Sequence, residues 1–324
     1  MKKWLVVVSM MVCTLIGTSG ASAQTYPTKP IRLVVPFAAG GTSDVLARII
    51  SPKLQEALGQ PVIVDNKPGA SGNIGADVVA KAAPDGHTIV LMDVGNLTIS
   101  PSVNASLPFD IIKDFAPVTI ISYSPHLLVV NPAVPVNSVS ELVKYAKNNP
   151  GKLNYATTGQ GSAPHLAGVL FAQRQGIKWE DIPGKGGADS ILHVMSGQAD
   201  VLFNGMVATL PQVKSGKLKL LAVSSDKRIP ALADTPTVAE AANMPGFVTG
   251  SWQGVLAPAG TPPAIVAKLR NEIARIVSLP EIKEKLLAMG ADPLLNSPEQ
   301  FAEWMKSEQA KWADVVKKAN LKLQ

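Results

Sequence analysis

A single cysteine, Cys13, is all the thiol that this 324-residue chain contains. No disulfide framework, no Cys-based metal site and no second thiol can be built from it. Aromatic residues amount to 5 % and charged residues to 17 %. The basic residues are scattered, with no run of five or six, so neither a base-stacking platform nor a phosphate-tracking stripe is available. A formal net charge of +6 therefore does not point to nucleic acid. The histidines His87, His126, His165 and His193 lie far apart without paired ligand spacing, and no metal or cofactor is expected. No H-E-x-x-H, EF-hand loop or G-x-S-x-G elbow occurs. The stretch 159–164 (GQGSAP) breaks the dinucleotide fingerprint at its last glycine, and 184–187 (GKGG) lacks the spacing and Ser/Thr of a P-loop. Nothing here points to catalysis, so the chain is not expected to be an enzyme. A hydrolytic triad assembled from distant residues stays open as an alternative.

Long apolar runs are also absent, except at the start. Lys2 and Lys3 precede an apolar stretch over 4–16, and Ala21-Ser22-Ala23 forms a small-residue cleavage site. This is the pattern of a secretory signal peptide over 1–23, too short in its apolar part to span a bilayer. Cleavage after Ala23 removes Cys13 and two lysines, leaving a thiol-free protein with no disulfide partner. The residues before Cys13 (Met10-Met11-Val12) do not make a lipoprotein site. A bacterial periplasmic location is expected.

With 46 % apolar residues and this length, about two domains of roughly 150 residues are expected. Strand-to-helix units repeat along the chain. Ile31–Val35 reads as a buried strand, followed by a Gly-rich turn and then Val45, Leu46, Ile49, Leu54 and Leu58 at helical spacing. Further strands are read at 62–64 and 88–92, with a helical stretch between them. A second series puts a helix at 139–147, a strand at 153–156, helices at 164–174 and 188–195, and a strand at 201–203. The long strand-like segment 115–130 and the shorter 218–223 are candidate crossings between domains. The grammar implies an α/β fold with mostly parallel sheets. The first lobe is expected over 24–121 and 224–324, the second over 122–223, with a cleft between them. At the C-terminus, Phe301, Trp304, Met305, Trp312, Val315 and Val316 fall on one helical face, read as docking on the protein's own core.

The chemistry on offer lies in Gly-rich turns. In Gly40-Gly41-Thr42-Ser43-Asp44 the glycines let a ligand approach the backbone, and Thr42, Ser43 or Asp44 is expected to cap the helix. The stretch 157–162 (TTGQGS) and Gly186-Gly187-Ala188 repeat the arrangement in the second half. Converging on one cleft, these turns would seat a small carboxylate on neutral donors.

The segments 31–48 (IRLVVPFAAGGTSDVLAR), 60–86 (QPVIVDNKPGASGNIGADVVAKAAPDG), 197–201 (GQADV), 220–228 (LLAVSSDKR) and 234–240 (DTPTVAE) closely resemble the receptors of the tripartite tricarboxylate transporter family, the Bug receptors. The resemblance covers nearly the whole chain after position 23. It implies a two-lobed periplasmic-binding-protein-like fold, type II-like, with two crossing strands between the lobes. It also implies a monomer that closes on an organic acid, without metal or cofactor, and delivers it to membrane permease subunits. Carried across, Phe37, Ala39, Gly41, Thr42 and Asp44 would form the first-lobe wall of the site. Thr158, Gly161, Ser162 and His165 would face them, with Gly187, Ala188 and Asn204 completing that side and Asn96 a further candidate.

Two departures from the family pattern bear on the ligand. Gly184 stands where the family commonly has a tyrosine, and Asn204 where an acid is common. Both weigh against a small amino acid and for a roomier pocket, taking a larger or aromatic mono- or dicarboxylate. A ligand-presenting sensor for a signalling kinase would share the same site.

Overall fold

The computed structural model describes residues 26–104 and 106–318; the signal peptide expected over 1–23, Cys13 included, lies outside them. β1 (Ile31–Val35) is buried at all but one position and leads through the Gly-rich turn into α1 (Thr42–Leu58), which ends on the left-handed Gly59. β2 (Val62–Asn66), α2 (Asn73–Ala80), β3 (Thr88–Asp93) and α3 (Val94–Val103) repeat the unit. β4 (Phe115–Val130) then runs for 16 residues. It is followed by α4 (Val139–Asn148), β5 (Asn154–Thr157), α5 (Ala163–Gln175), β6 (Glu180–Pro183), α6 (Gly187–Met195), β7 (Val201–Gly205), α7 (Met206–Lys214) and β8 (Lys219–Val223). A short α8 (Val238–Ala241) carries a reciprocal Thr237–Glu240 cap and precedes β9 (Gly250–Pro258). α9 (Pro263–Val277), α10 (Pro280–Ala288), β10 (Asp292–Pro293) and α11 (Pro298–Lys318) close the chain.

β4 is the spine of two lobes. Its first part pairs with β9, which continues the first-lobe sheet through β3, β1 and β2. Its last residues, from His126 to Val130, pair with β7 and β8, and β7 continues through β5 to β6. Along that end, Leu128 and Val130 enter one second-lobe core with Tyr155, Phe171 and Phe203. Leu127 and Val129 enter the other, with Ile191 and Met206. Alternate side chains serve opposite faces, and both faces are covered by helices, so the strand reads as one continuous apolar run. Each such fully buried side chain contributes about 1.5–3 kcal/mol.

Three readings need revision. The βα units pair in parallel, but β4 and β9 run antiparallel to their neighbours, so the sheet is mixed. A strand returning from the other lobe enters against the direction of β3. Secondly, 218–223 is no crossing: β8 pairs with the second-lobe end of β4 and, through Val223, bridges Thr237. The chain returns at Thr249, where Ser224 N–H bonds His126 O, Thr249 N–H bonds Ser224 O and His126 N–H bonds Thr249 O (2.9, 2.9 and 3.2 Å). Thirdly, Val238, Met244 and Phe247 pack into the second-lobe core, so the segment after 223 stays in that lobe as far as Thr249.

The C-terminal stripe divides its work. Phe301 and Met305 sink into the first-lobe core, with Trp304 against it. Val316 and Trp312 instead form a patch with Ile99 and Val103 of α3 and with Ala163 and Leu166 of α5, joining the two lobes. No helix among the described residues is long and apolar enough to cross a membrane.

Candidate functional site

Four helices begin on glycine with no side-chain cap: α2 at Gly72, and α1 at Gly41, α6 at Gly186 and α7 at Gly205, the last three near the interlobe cleft. The expectation that Thr42, Ser43 or Asp44 caps α1 is not met, because Asp44 is turned back onto the preceding turn. An uncapped first turn leaves N–H donors free at the positive end of the helix dipole. By contrast, α3 is capped by Asp93, which accepts from Gly95 N–H, and α5 by Ser162, which accepts from His165 N–H.

The starts of α1, α3, α5 and α6, with Asn204 just ahead of α7, surround one cavity between the lobes. Phe37, Gly41, Thr42 and Ser43 line it from the β1–α1 turn, with Asp93 and Asn96 from the β3–α3 junction. The second lobe supplies Thr158, Pro164, Gly187 and Asn204, and β9 supplies the floor with Ser251 and Gln253. Of the expected wall, the structure therefore brings Phe37, Gly41, Thr42, Thr158, Gly187, Asn204 and Asn96 together. Ala39 is exposed on the loop, and Asp44, Gly161, Ser162, His165 and Ala188 stand behind or beside the lining. Ser43, Asp93, Pro164, Ser251 and Gln253 line it without having been expected there.

The residues behind the lining hold its loops. The Asp44 carboxylate accepts from Gly40 N–H (2.9 Å), Asn66 Nδ2 (3.0 Å) and Arg48 Nε (3.0 Å). Burial pushes this carboxyl up, but the bonds from Arg48, Gly40 and Asn66 outweigh it and hold it below the usual carboxylate range. In the second lobe, Thr158 Oγ1 and Ser162 Oγ are 2.8 Å apart, and His165 Nδ1 accepts from Gly161 N–H at 3.0 Å. Its Nε2, 3.1 Å from Asp181, then carries the ring proton in the neutral form. We expect Asp44→Ala to weaken ligand binding about 10-fold through loosening of the first-lobe turn, with the fold retained. Calorimetric affinity and a melting curve check this; unchanged affinity would leave Asp44 no part in the site.

The lobes are closed. Ser71 Oγ donates to Gln160 O (2.6 Å) and Ala163 N–H donates to Asn96 Oδ1 (2.8 Å) across the cleft. A Cβ placed on Gly40 would sit 3.8 Å from that of Ala188, so the facing backbones have approached to contact. The cavity that remains is small, about 30 Å³. Gly184 instead lines a second opening between the lobes, of about 350 Å³, with Phe37, Ser71, Thr158 and Lys185. A ligand enters only with the lobes parted.

The nearest approach to a catalytic constellation is Asp93–Ser251–His126. Ser251 Oγ lies 3.5 Å from His126 Nε2, while the Asp93 carboxyl bonds the serine rather than the imidazole. Nothing acidic orients the ring, whose Nδ1 meets Thr249 Oγ1 at 3.0 Å. Burial pushes His126 down to about 3. This is not the geometry of an activated nucleophile. Among the described residues no group of three or more His, Cys, Asp or Glu is placed to hold a metal.

Comparison with known proteins places the chain among others of the same design. A family model described as "Tripartite tricarboxylate transporter family receptor" matches residues 46–321. BugT of Bordetella pertussis is 35 % identical over 324 residues, covering 100 % of this chain and 99 % of its own. The solved structure of the R. palustris protein Rpa4515 with adipate has a TM-score of 0.88 at 37 % identity, over 91 % of this chain and 98 % of that one. MatC from Rhodopseudomonas palustris with bound malate has a TM-score of 0.85 at 33 % identity, over 90 % of this chain and 100 % of that one.

Proposed function

We propose, from the premise that this chain belongs to the tripartite tricarboxylate transporter receptor family, that it captures a small organic dicarboxylate between its lobes for delivery to membrane permease subunits. One observation carries the reading: the uncapped starts of α1 and α6, one from each lobe, with Asn204 just ahead of the uncapped α7, open on a cavity lined by neutral polar groups and one acid, Asp93, without any arginine or lysine. Such N-termini seat an anion without a countercharge. The family is one of transporter receptors rather than enzymes, and the adipate and malate held by two structural neighbours are carboxylates of the proposed kind.

In this reading the protein works in the periplasm after cleavage behind Ala23. The first lobe comprises the chain up to Pro125 and from Gly250 onward, the second the residues between. They part and close about the crossing at His126, Ser224 and Thr249. Phe37, Gly41, Thr42, Thr158, Gly187, Asn204 and Asn96 contact the ligand, while Asp44, Gly161, Ser162 and His165 hold the contacting loops.

Titration of the mature protein with adipate and malate, followed by calorimetry, tests the proposal. Stoichiometric binding with a rise in melting temperature and no product on prolonged incubation is expected. Failure of every small carboxylate to bind, or turnover of one that does, would overturn it.

A further inference from the structure

We propose that Asp93 selects the charge of the ligand: a carboxylate bearing a second full negative charge is held only with uptake of one proton, whereas a singly charged ligand needs none. This rests on the carboxylate-receptor reading above and goes beyond it, because that reading puts no ionisable residue in contact with the ligand.

Twelve residues line the cavity, and Asp93 alone among them is ionisable. It sits at the end of β3, 6 % exposed, where its Oδ1 accepts from Gly95 N–H (3.0 Å) and Trp252 N–H (3.2 Å). The helix start it caps is thereby already occupied by an anion, unlike those of α1, α6 and α7. No base lines this cavity; Lys185, of the β6–α6 turn, lines the adjoining opening beyond Phe37 and Thr158 and is exposed. From β9 come only Ser251, Trp252 N–H and Gln253, and Gln253 Oε1 is taken by Ser43 Oγ at 2.7 Å. Behind Ser251, from β4, stands His126, which burial keeps neutral. On α1, Asp44 is turned to Gly40, Asn66 and Arg48; on α5, His165 is turned to Gly161 and Asp181. On α11, Glu308 and Lys311 line a separate cavity beyond Gly95 and Trp252.

A dianion closed into this space therefore brings its second charge to a buried carboxylate with no cation between them. The arrangement is relieved by one proton. Burial already pushes the Asp93 carboxyl up to about 6, against the bonds from Ser251, Trp252, Gly95 and Asn96. A second anion beside it raises it further. Above that range the proton must come from solution, so dianion affinity falls as pH rises, by up to about tenfold per pH unit. A singly charged ligand seated on the uncapped helices leaves Asp93 ionised and shows no such slope.

The test is calorimetric titration of the mature protein with adipate, malate and monomethyl adipate at about pH 7.5, in buffers of different ionisation enthalpy, which counts protons directly. For a dianion we expect uptake of about one proton per site and about tenfold weaker binding than at about pH 6.5; monomethyl adipate should show neither. Asp93→Asn keeps an oxygen acceptor for the Gly95 and Trp252 amides and should abolish both the uptake and the slope. Proton-neutral binding of the dianions by the wild type would overturn the inference while leaving the receptor reading intact, as would equal uptake by Asp93→Asn. Binding of none of the three probes at either pH would overturn both.

Discussion

Gly205→Val should lower ligand affinity about 10- to 100-fold while leaving the unliganded protein as stable as the wild type. A Cβ on Gly205 would lie 2.8 Å from Thr42 Oγ1 and 3.0 Å from Ser251 Oγ. Gly205 belongs to the second lobe and both of its obstacles to the first, so the added side chain meets them only when the lobes close. The backbone itself is undemanding, at φ −54° and ψ 133°, which valine adopts without strain. Overfilling a packed contact costs about 1–3 kcal/mol, and that cost falls on the closed state alone, where the ligand is held. At about 1.4 kcal/mol per tenfold, the expected loss of affinity follows. Calorimetry gives the affinity, and small-angle scattering reports whether carboxylate still compacts the molecule. Wild-type affinity with full compaction would show that closure does not bring Gly205 onto Thr42. A lowered melting temperature without ligand would place the clash within one lobe instead.

The same geometry explains what could be read from the chain and what could not. The turns at 40–44, 157–162 and 186–188 announce themselves, because glycine, a small hydroxyl and a following helical period occur together. Gly41, Thr42, Thr158 and Gly187 lie in them, whereas Phe37, Asn96 and Asn204 follow only from the family resemblance. The floor has no such signature. Ser251 and Gln253 sit within a strand with nothing local to mark them, and Ser43 reaches Gln253 across 210 positions of sequence. Asp93 ends a strand and begins a helix, so in sequence it is one more capping acid; only the fold shows that this cap opens into the cleft. The return crossing was misplaced for a related reason. The apolar run at 218–223 looks like a spanning strand, whereas the actual crossing depends on backbone bonds among His126, Ser224 and Thr249, which any residue types can make. The signal that 224–249 remains in the second lobe was present in Val238, Met244 and Phe247, spaced too irregularly to declare a partner. Glycine at the start of α1, α6 and α7 is the subtlest case. A capping hydroxyl or acid stabilises a helix by about 1 kcal/mol, and its absence at three converging helices leaves donors for a ligand.

Tyr155→Ala should destabilise the second lobe by about 3–5 kcal/mol, the range for removing a large buried aromatic side chain, and weaken ligand binding in the fraction that remains folded. The ring is fully buried, stacked on Trp179 with centroids 4.8 Å apart and planes 11° apart. Gly168 of α5 is pressed against it; a Cβ there would overlap the ring, so the helix depends on the ring for its seat and cannot refill the space from that position. The hydroxyl donates to Pro164 O at 2.6 Å and accepts from Phe203 N–H at 3.4 Å. Pro164 lines the cavity, so the second-lobe core and the ligand wall are tied at one atom. Tyr155→Phe separates the two roles: it keeps the stack and leaves the Pro164 carbonyl without its donor, for about 1–3 kcal/mol. Denaturant titration of both variants, with calorimetric affinity on the folded protein, resolves the contributions. An alanine variant losing less than about 1 kcal/mol would mean that α5 collapses onto the vacated space, contrary to the rigid packing about Gly168. Affinity unchanged in the phenylalanine variant would mean that Pro164 is held by its helix alone.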